Sequence, residues 1–386
     1  MERNFIRVQL FFSAVIAAAF LCLSGCERST SPSQPPRQPQ SPRQEQVTIG
    51  CTLPLSGELA SYGERSRKGM ELALKDLAGK GEAPIKIVFE DDQGKTPLAV
   101  SAMTKLIDIN KAPAILGSAS SGVTMAMTGV ANKRKVVVLS PLASSPELTT
   151  KGGPFFFRMA PSDTAQAAIM VEWMKKEGHT KIAILYIATT WGQSLFEAVK
   201  SGWEANGGQV TVSDSVQEGD SDFRTQIEKF KQSGATAFYV ATHGREGGAF
   251  VKQARQLGVE VPFYGADVWS SPEFVEVGGA AVEGCKLIAP AKLSGPRYDA
   301  FAARYRKEYN EDPEVYAGYS YDAVMILAGA VSSGATTGEG IRNYLSKMVP
   351  FEGVSGTVSF DAHGDVIGQG FDRYIIKDGK PALIAK

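Results

Sequence analysis

The chain has 386 residues, 43% of them hydrophobic, so it is long enough to bury two separate cores. Its 41 basic and 41 acidic residues balance, and no basic surplus points to nucleic acid as a partner. Beyond residue 23 no apolar run is long enough to cross a bilayer, which disfavours an integral membrane protein.

The N-terminus has the pattern of a secretory signal peptide. Two arginines precede an apolar run over residues 10–23, and small residues follow it. The run is shorter than the roughly 20 residues that a membrane-spanning helix needs. Residues 23–26 (LSGC) resemble the lipobox of bacterial lipoproteins, which implies cleavage after Gly25 and lipid attachment at Cys26. The alternative is an ordinary signal peptide cut near Gly25, followed by an incidental cysteine.

The segment after Cys26 is predicted to be a tether. Residues 27–46 carry no large apolar side chain, so they cannot bury enough surface to offset the entropy lost on ordering. Their prolines favour extended conformers, which suit a spacer. We therefore expect a signal peptide over residues 1–25, an acylated cysteine with a disordered tether over residues 26–46, and a folded part that begins at Val47.

From Val47 onward, short apolar runs typical of strands alternate with segments of helical periodicity. In chain order, the first series contains the strand VTIGCTLPL, a helix over 63–78, IKIVFE, a helix over 98–109, APAILG, a helix over 123–133 and VVVLSP. After FFFRMAP the pattern restarts, with helices over 165–177, 194–206, 223–232 and 248–257 between the strands KIAILYI, QVTVSDSV, AFYVATH, PFYGA and GCKLIAP. Such uniformly apolar strands predict parallel sheets covered on both faces.

Two series of this kind predict an α/β fold with two doubly wound parallel-sheet lobes. Helices over 297–309 and 319–332 and short β segments over 354–385 follow. A tail of this different character predicts that the chain crosses back between the lobes, so that they are joined by a multi-crossover hinge. The expected boundaries are residues 47–163 with 293–350 for lobe 1, and residues 164–292 with 351–386 for lobe 2.

Two cysteines, Cys51 and Cys285, remain beyond the predicted lipid site. Both lie in apolar, strand-like runs, so we expect buried thiols. A disulfide between them is the alternative in an oxidising compartment. Neither has metal-ligand spacing with a histidine or another cysteine, and we expect no metal and no cofactor.

Four polar loops follow predicted strands and are the candidate binding segments. Open parallel sheets bind ligands beyond the carboxyl ends of their strands, where helix N-termini present free backbone N–H groups. SASSG at 118–122 and SPLASS at 140–145 supply hydroxyls suited to a carboxylate, TTWG at 189–192 an aromatic face, and ADVW at 266–269 a carboxylate. Together they suit a zwitterionic α-amino acid. Taken singly, the serines could be helix caps, the tryptophan a packing residue and the aspartate a capping residue.

Several segments between Val47 and the C-terminus carry a family resemblance: IGCTLPLSGELASYGERSRKGMELALKD, FEDDQGKTPLAV, AILGSASSGVTMAM, VVVLSPLASSPELT, KIAILYIATTWGQSL, KQARQLG and PFYGADVW. In order and spacing they resemble the leucine/isoleucine/valine-binding protein family, the type I periplasmic substrate-binding proteins of ABC transporters. This resemblance implies two lobes that close on a ligand by a hinge.

The resemblance also implies a set of ligand-binding residues: Tyr62, Ser120, Ser121, Leu142, Ser144, Trp191, His243 and Asp267. In that set, Ser121 and Ser120 would hold the ligand α-carboxylate, and Ser144 would also contact the head group. The α-ammonium would bind the backbone carbonyl of Leu142 and the carboxylate of Asp267.

The remaining members of the set form walls, and two positions depart from the family pattern. Trp191 would lie across the ligand from the second lobe, and Tyr62 would face it from the first. Asp267 is one methylene shorter than the glutamate of the branched-chain members, so either the closure is tighter or a water intervenes. His243 stands near a position often held by tyrosine and changes the polarity of the wall. Head-group binding is thus expected, while branched-chain specificity is in doubt.

The predicted function is capture of an amino acid or a related small ligand and its delivery to ABC permease subunits. We expect an exported, membrane-anchored lipoprotein that faces the periplasm or the cell exterior and works as a monomer. A sensor module that presents its bound state to a receptor is the alternative. His243, Ser121 and Asp267 could imitate a hydrolase triad, but the chain has no Gly-x-Ser-x-Gly elbow and no Gly-rich phosphate loop. We therefore predict that it is not an enzyme.

Overall fold

The computed structural model describes residues 46–384. The predicted signal peptide, the lipid site at Cys26 and the predicted tether up to residue 45 lie outside the described residues. Within the described range, none of the helices combines the length and the apolar character that a membrane crossing requires.

The first sheet has five parallel strands in the spatial order β2-β1-β3-β4-β5. Its strands are β1 (Val47–Leu53), β2 (Ile85–Asp91), β3 (Ala114–Leu116), β4 (Val137–Ser140) and β5 (Phe156–Arg158). The helices between them are α1 (Ala60–Gly79), α2 (Thr96–Asp108), α3 (Ser121–Arg134) and α4 (Pro146–Lys151). The three central strands β1, β3 and β4 are apolar and largely buried, as strands covered on both faces should be.

The second series builds a second parallel sheet, in which β7, β6, β8, β9 and β10 are neighbours in that order. Its strands are β6 (Lys181–Ile187), β7 (Gln209–Val216), β8 (Ala237–Ala241), β9 (Phe263–Gly265) and β10 (Lys286–Pro290). Its helices are α5 (Asp163–Lys176), α6 (Thr190–Ala205), α7 (Arg224–Lys231), α8 (Gly244–Gln256) and α9 (Pro272–Gly278). Single 3₁₀ turns cover Asp267–Ser270 and Gly279–Val282.

The C-terminal part adds three helices and five short strands: α10 (Pro296–Tyr309), α11 (Val315–Ser332), α12 (Gly338–Leu345), β11 (Phe351–Glu352), β12 (Thr357–Phe360), β13 (Val366–Ile367), β14 (Phe371–Lys377) and β15 (Lys380–Leu383). Helix α11 packs along α1, and the backbones approach so closely that a Cβ built on Gly69 would lie 2.2 Å from the carbonyl oxygen of Ala317. Strands β14 and β15 extend the second sheet as antiparallel strands beside β10. The predicted α/β fold with two parallel sheets is confirmed.

Strands β11, β12 and β13 form a small antiparallel sheet of their own. Val354, Val358 and Phe360 from this segment are buried in the core of the first sheet. The sequence-based boundaries instead assign residues 351–386 as a whole to lobe 2. Because its apolar side chains pack with the first core, we propose that residues 351–367 belong to lobe 1 and that the last crossing precedes β14.

Each sheet carries its own core. Alternate residues of β6 face opposite sides of the second sheet, since Ala183 and Leu185 belong to one buried cluster and Ile182 and Ile184 to another. Cys51 is buried in the first core and Cys285 in the second, and both are free thiols. The expectation of two buried thiols is therefore confirmed, and their positions in different cores separate them from each other.

The predicted helices are present, but several begin up to one turn earlier than their hydrophobic periodicity. Helices α1, α6 and α8 start at Ala60, Thr190 and Gly244. Their first turns consist mostly of small, polar or aromatic residues, so the apolar repeat that marks a helix starts only in the second turn. The short helices α4, α9 and α12 were not predicted.

Candidate functional site

A cavity between the two lobes brings together every ligand-binding residue predicted from the sequence. Its empty volume, including the space that opens to solvent, is about 550 Å³. Its lining residues are Leu59, Tyr62, Ala119, Ser120, Ser121, Leu142, Ser144, Thr189, Trp191, Glu218, His243, Asp267, Val268 and Tyr316.

The cavity lies where parallel strands of both sheets end. Ser121 is the first residue of α3, after β3, and Trp191 lies in the first turn of α6, after β6. His243 caps the N-terminus of α8, after β8, and Asp267 follows β9. Helix N-termini of both lobes therefore face this space, with backbone N–H groups that have no partner inside their own helix.

The two serine loops of the first lobe are held by their own hydrogen bonds. The hydroxyl of Ser140 donates to the carbonyl oxygen of Ser118 (2.9 Å) and accepts from the backbone N–H of Ala143 (2.9 Å). The backbone N–H of Ser145 donates to Ser121 Oγ (3.2 Å). Because Ser121 Oγ accepts in this bond, its own proton remains available to a carboxylate.

Ser144 differs from Ser121 in the direction of its hydrogen bond. Its hydroxyl donates to Asp163 Oδ2 at 2.9 Å, away from the cavity. A hydroxyl whose proton is engaged in this way presents only lone pairs, so it can accept from a donor such as an ammonium group. The structure thus suits Ser144 to the cationic part of a head group.

Asp267 is 5% exposed and is held by two residues that sequence reasoning missed. Its Oδ2 accepts from the hydroxyl of Tyr316 (3.0 Å), which α11 contributes from the first lobe. Its Oδ1 accepts from Gln166 Nε2 (3.2 Å), and its backbone N–H donates to Gln166 Oε1 (3.0 Å). Burial raises the pKa of Asp267, and the hydrogen bonds from Tyr316 and Gln166 offset part of that rise.

Asp163 is a second buried carboxylate behind the cavity wall, and it too was missed. It accepts from Ser144 and, through Oδ1, from Gln166 Nε2 (2.7 Å). Burial first, and the charge of Asp267 second, raise the pKa of Asp163. In the sequence, Ser162 and Asp163 have only the pattern of a helix start, which is typical of many helices that bind nothing.

Aromatic rings form the wall of the second lobe and part of the first. The rings of Trp191 and His243 stack with their centroids 5.4 Å apart and their planes 8° apart. Tyr62 lies 6.4 Å from His243 and 6.2 Å from Tyr316 between ring centroids. His243 Nε2 lies 3.2 Å from Glu218 Oε1, so a polar pair stands in this otherwise aromatic wall. Glu218 was not predicted, since it lies in a polar loop that resembles ordinary surface.

The lobes contact each other directly around the cavity. Ser145 Oγ donates to Ser194 Oγ at 2.9 Å, joining the first lobe to α6. Arg65 Nη2 lies 2.8 Å from Glu273 Oε1 and joins α1 to α9 of the second lobe. These bonds across the cleft describe a closed arrangement.

Replacing Trp191 with alanine is expected to weaken ligand binding by at least about 2 kcal/mol, as for an aromatic residue at the centre of an interface. Titration calorimetry with an amino acid that binds the wild type measures this loss. Phe196→Ala is the matched control, since this ring lies in the next turn of α6, stacks on Tyr186 and does not line the cavity. Trp191 also packs on the second-lobe core, so the melting temperature is measured in parallel. Equal affinity losses in both variants would contradict a direct contact.

Two lobes that meet around a cavity at the carboxyl ends of their parallel strands are typical of the class of two-lobed binding proteins. The chain belongs to the periplasmic binding protein family, whose model matches residues 46–377. The resemblance predicted from the sequence is thereby confirmed.

Several known proteins are similar to the chain over most of its length. It is 27% identical to Leu/Ile/Val-binding protein homolog 3 of Brucella melitensis over 86% of this chain and 92% of that protein. Among solved structures, it is similar to the leucine-binding protein LivK of Thermotoga maritima, with a TM-score of 0.82 and 27% identity over 88% of this chain and 98% of that one. It is also similar to the branched-chain amino acid transporter substrate-binding protein LivJ of Streptococcus pneumoniae in complex with isoleucine, with a TM-score of 0.80 and 28% identity over 88% of this chain and 99% of that one.

Proposed function

We propose that the protein captures an amino acid, or a closely related small ligand, between its lobes and delivers it to an ABC permease. The observation that carries the proposal is the cavity itself, which joins a hydroxyl-rich helix start in the first lobe to the buried carboxylate of Asp267 in the second. The names of the similar proteins, which include a leucine-binding protein and an isoleucine complex, support the same class of ligand.

In this proposal, the two ends of a zwitterion bind to different parts of the cavity. The α-carboxylate lies at the N-terminus of α3, where Ser120 and Ser121 and unpaired backbone N–H groups donate to it. The α-ammonium pairs with Asp267 and donates to the Leu142 carbonyl and to Ser144, whose hydroxyl proton points to Asp163. Opposite charges that leave water together need this full set of partners.

The ligand side chain is proposed to lie along Tyr62, Trp191 and His243. The contact of His243 with Glu218 gives this wall a hydrogen-bonding element. For that reason the ligand class is proposed as amino acids and their amides in general, and not as the branched-chain amino acids alone.

A thermal-shift screen of the folded part against the common amino acids and small amides tests the function. A ligand that binds only the native state adds RT ln(1 + [L]/Kd), about 2.7 kcal/mol at a concentration of 100 Kd, and this raises the melting temperature. A clear shift with one or more amino acids is expected. If no amino acid and no amide shifts the melting temperature, the proposed ligand class is wrong while the family assignment remains.

We also propose that the chain is exported and anchored through a lipid on Cys26. The proposal is supported by the basic, apolar and LSGC segments of residues 1–26 and by the membership of a periplasmic family. Metabolic labelling with a radioactive fatty acid tests it. Label is expected in the wild type and not in Cys26→Ala, and equal labelling of the two would contradict it.

A further inference from the structure

Two buried carboxylates, Asp163 and Asp267, meet at one side-chain amide behind the cavity. Gln166 Nε2 donates to Asp163 Oδ1 at 2.7 Å and to Asp267 Oδ1 at 3.2 Å. Asp163 is 0% exposed and Asp267 is 5% exposed. An amide that donates one proton to each carboxylate keeps both groups close together and out of water.

The surroundings of this pair contain little positive charge. Arg158, from β5, is the cation whose charge acts on Asp163. All three nitrogens of its guanidinium already donate elsewhere: Nε to Asp365 (2.7 Å), Nη1 to the Ser145 carbonyl (2.9 Å) and Nη2 to Thr149 (2.7 Å). Among the described residues, no lysine or arginine lines the cavity.

The other groups that face the pair are neutral or only potentially charged. They are Trp191 of α6, Tyr239 of β8, Tyr316 and Tyr319 of α11, and Tyr62 of α1. His243 and Glu218, which pair with each other, line the same cavity beside Trp191. Burial raises the pKa of Tyr239, Tyr316, Tyr319 and Tyr62, so these phenols stay neutral. Two full negative charges at this place would therefore have no cation that donates a hydrogen bond to them, since Arg158 is engaged elsewhere.

We propose that the closed, ligand-free pocket holds one proton shared by Asp163 and Asp267, and that this proton leaves for solvent when the ammonium group of a ligand binds. The inference rests on the proposed function. Charge is conserved at the site, because one proton leaves as one ligand cation arrives. The carboxylic acid loses its proton to water, Asp267 then pairs with the ammonium, and ionised Asp163 accepts the proton of the Ser144 hydroxyl.

The raised pKa values of both carboxyl groups agree with this arrangement. A ligand cation and a proton then compete for the pair. At pH values below the higher of the two apparent pKa values of the pair, ligand affinity should fall by up to tenfold for each unit by which the pH is lowered, because one proton is released on binding.

The shared proton also affects the free energy of unfolding. The folded pair binds it more tightly than the unfolded chain, so its stabilising contribution is present at low pH and is lost as pH rises through the folded pKa.

Infrared spectroscopy of the ligand-free protein tests the shared proton without any ligand. The carbonyl stretch of a protonated, buried carboxylic acid is expected at about pH 6 in the wild type. The band should lose intensity in Asp163→Asn and also in Asp267→Asn, because in each variant the remaining carboxyl no longer has a second carboxylate that repels its charge. The second variant replaces the first if Asp163→Asn fails to fold. A wild-type spectrum with no intensity that depends on these two residues would overturn the proposal.

Proton release is tested by titration calorimetry with L-leucine in phosphate and in Tris buffer, which differ in ionisation enthalpy. The difference in binding enthalpy between the two buffers, divided by the difference in their ionisation enthalpies, is expected to give about one proton released per leucine bound. The infrared band of the carboxylic acid should also disappear when leucine binds. Asp322→Asn is the matched control, because Asp322 is a buried carboxyl that binds Val354 and Ser355 and does not line the cavity. This control should release the same proton.

Equal heats in both buffers, with leucine bound, would overturn proton release. If leucine and every other amino acid fail to bind, proton release fails together with the proposed function. The infrared band still reports separately on the shared proton, so the two failures are distinguishable.

Discussion

Replacing Asp267 with alanine is expected to reduce the affinity for an amino-acid ligand by about 2–5 kcal/mol, the cost of truncating one partner of a buried charge pair. The ammonium group of the ligand would lose its direct ion-pair partner in a closed cavity. The hydroxyl of Tyr316 would lose its acceptor, and the amide of Gln166 would keep only Asp163 as a carboxylate partner.

Titration calorimetry with the amino acid that gives the largest thermal shift measures this effect. Asp267→Asn separates the contribution of charge from that of shape, since asparagine has nearly the same volume and can still accept from Tyr316. Most of the loss is expected in both variants if charge pairing dominates. An unchanged affinity in Asp267→Ala would remove Asp267 from the proposed binding site.

Replacing Arg158 with alanine is expected to lower the free energy of unfolding by about 3–5 kcal/mol, because breaking a buried ion pair leaves its partners uncompensated. The side chain of Arg158 is 0% exposed, and the side chain of its ion-pair partner Asp365 is 14% exposed. Its remaining bonds hold the carbonyl of Ser145 and the hydroxyl of Thr149. Arg158 therefore also supports the loop that carries Ser144.

Urea unfolding followed by circular dichroism measures the loss of stability. Arg134→Ala is the matched control, since its ion pair with Asp108 is about half exposed, and such pairs contribute about 0–1 kcal/mol. The double variant Arg158→Ala with Asp365→Ala should regain part of the stability, because it removes the carboxylate that the first change leaves unpaired. If Arg158→Ala costs no more than the Arg134 control, the buried network does not stabilise the fold.

Much of the fold could be predicted because it follows from local periodicity. Strands such as KIAILYI are apolar on both faces, and the segments between them repeat with the period of a helix. That alternation implies parallel sheets, and parallel sheets place all their carboxyl ends at one edge. When two such lobes face each other with these edges, distant loops such as those of Ser121 and Trp191 are expected at one cavity, and both line it.

The missed residues of the site share a physical cause. Gln166 and Tyr316 lie inside helices, where nothing in the local pattern distinguishes a residue that touches a cavity from one that packs in a core. Tyr316 reaches Asp267 only because α11 packs along α1 and the lobes meet across the cleft. The same holds for residues 351–367. Their apolar side chains are compatible with burial in either core, and only the folded chain shows that they pack in the first one.

The strands, most of the helices, the two-lobed α/β class and the loops at the cavity can all be predicted from the sequence, because they depend on patterns that repeat within about 20 residues. The pairing of the polar groups in those loops became visible only in the folded chain. The tertiary structure turns the hydroxyl of Ser144 towards Asp163, joins Asp163 to Asp267 through Gln166, and sets His243 between Trp191 and Glu218. Hydrogen bonds and charge pairing depend on distances of a few ångströms between distant parts of the chain, and no local period records them.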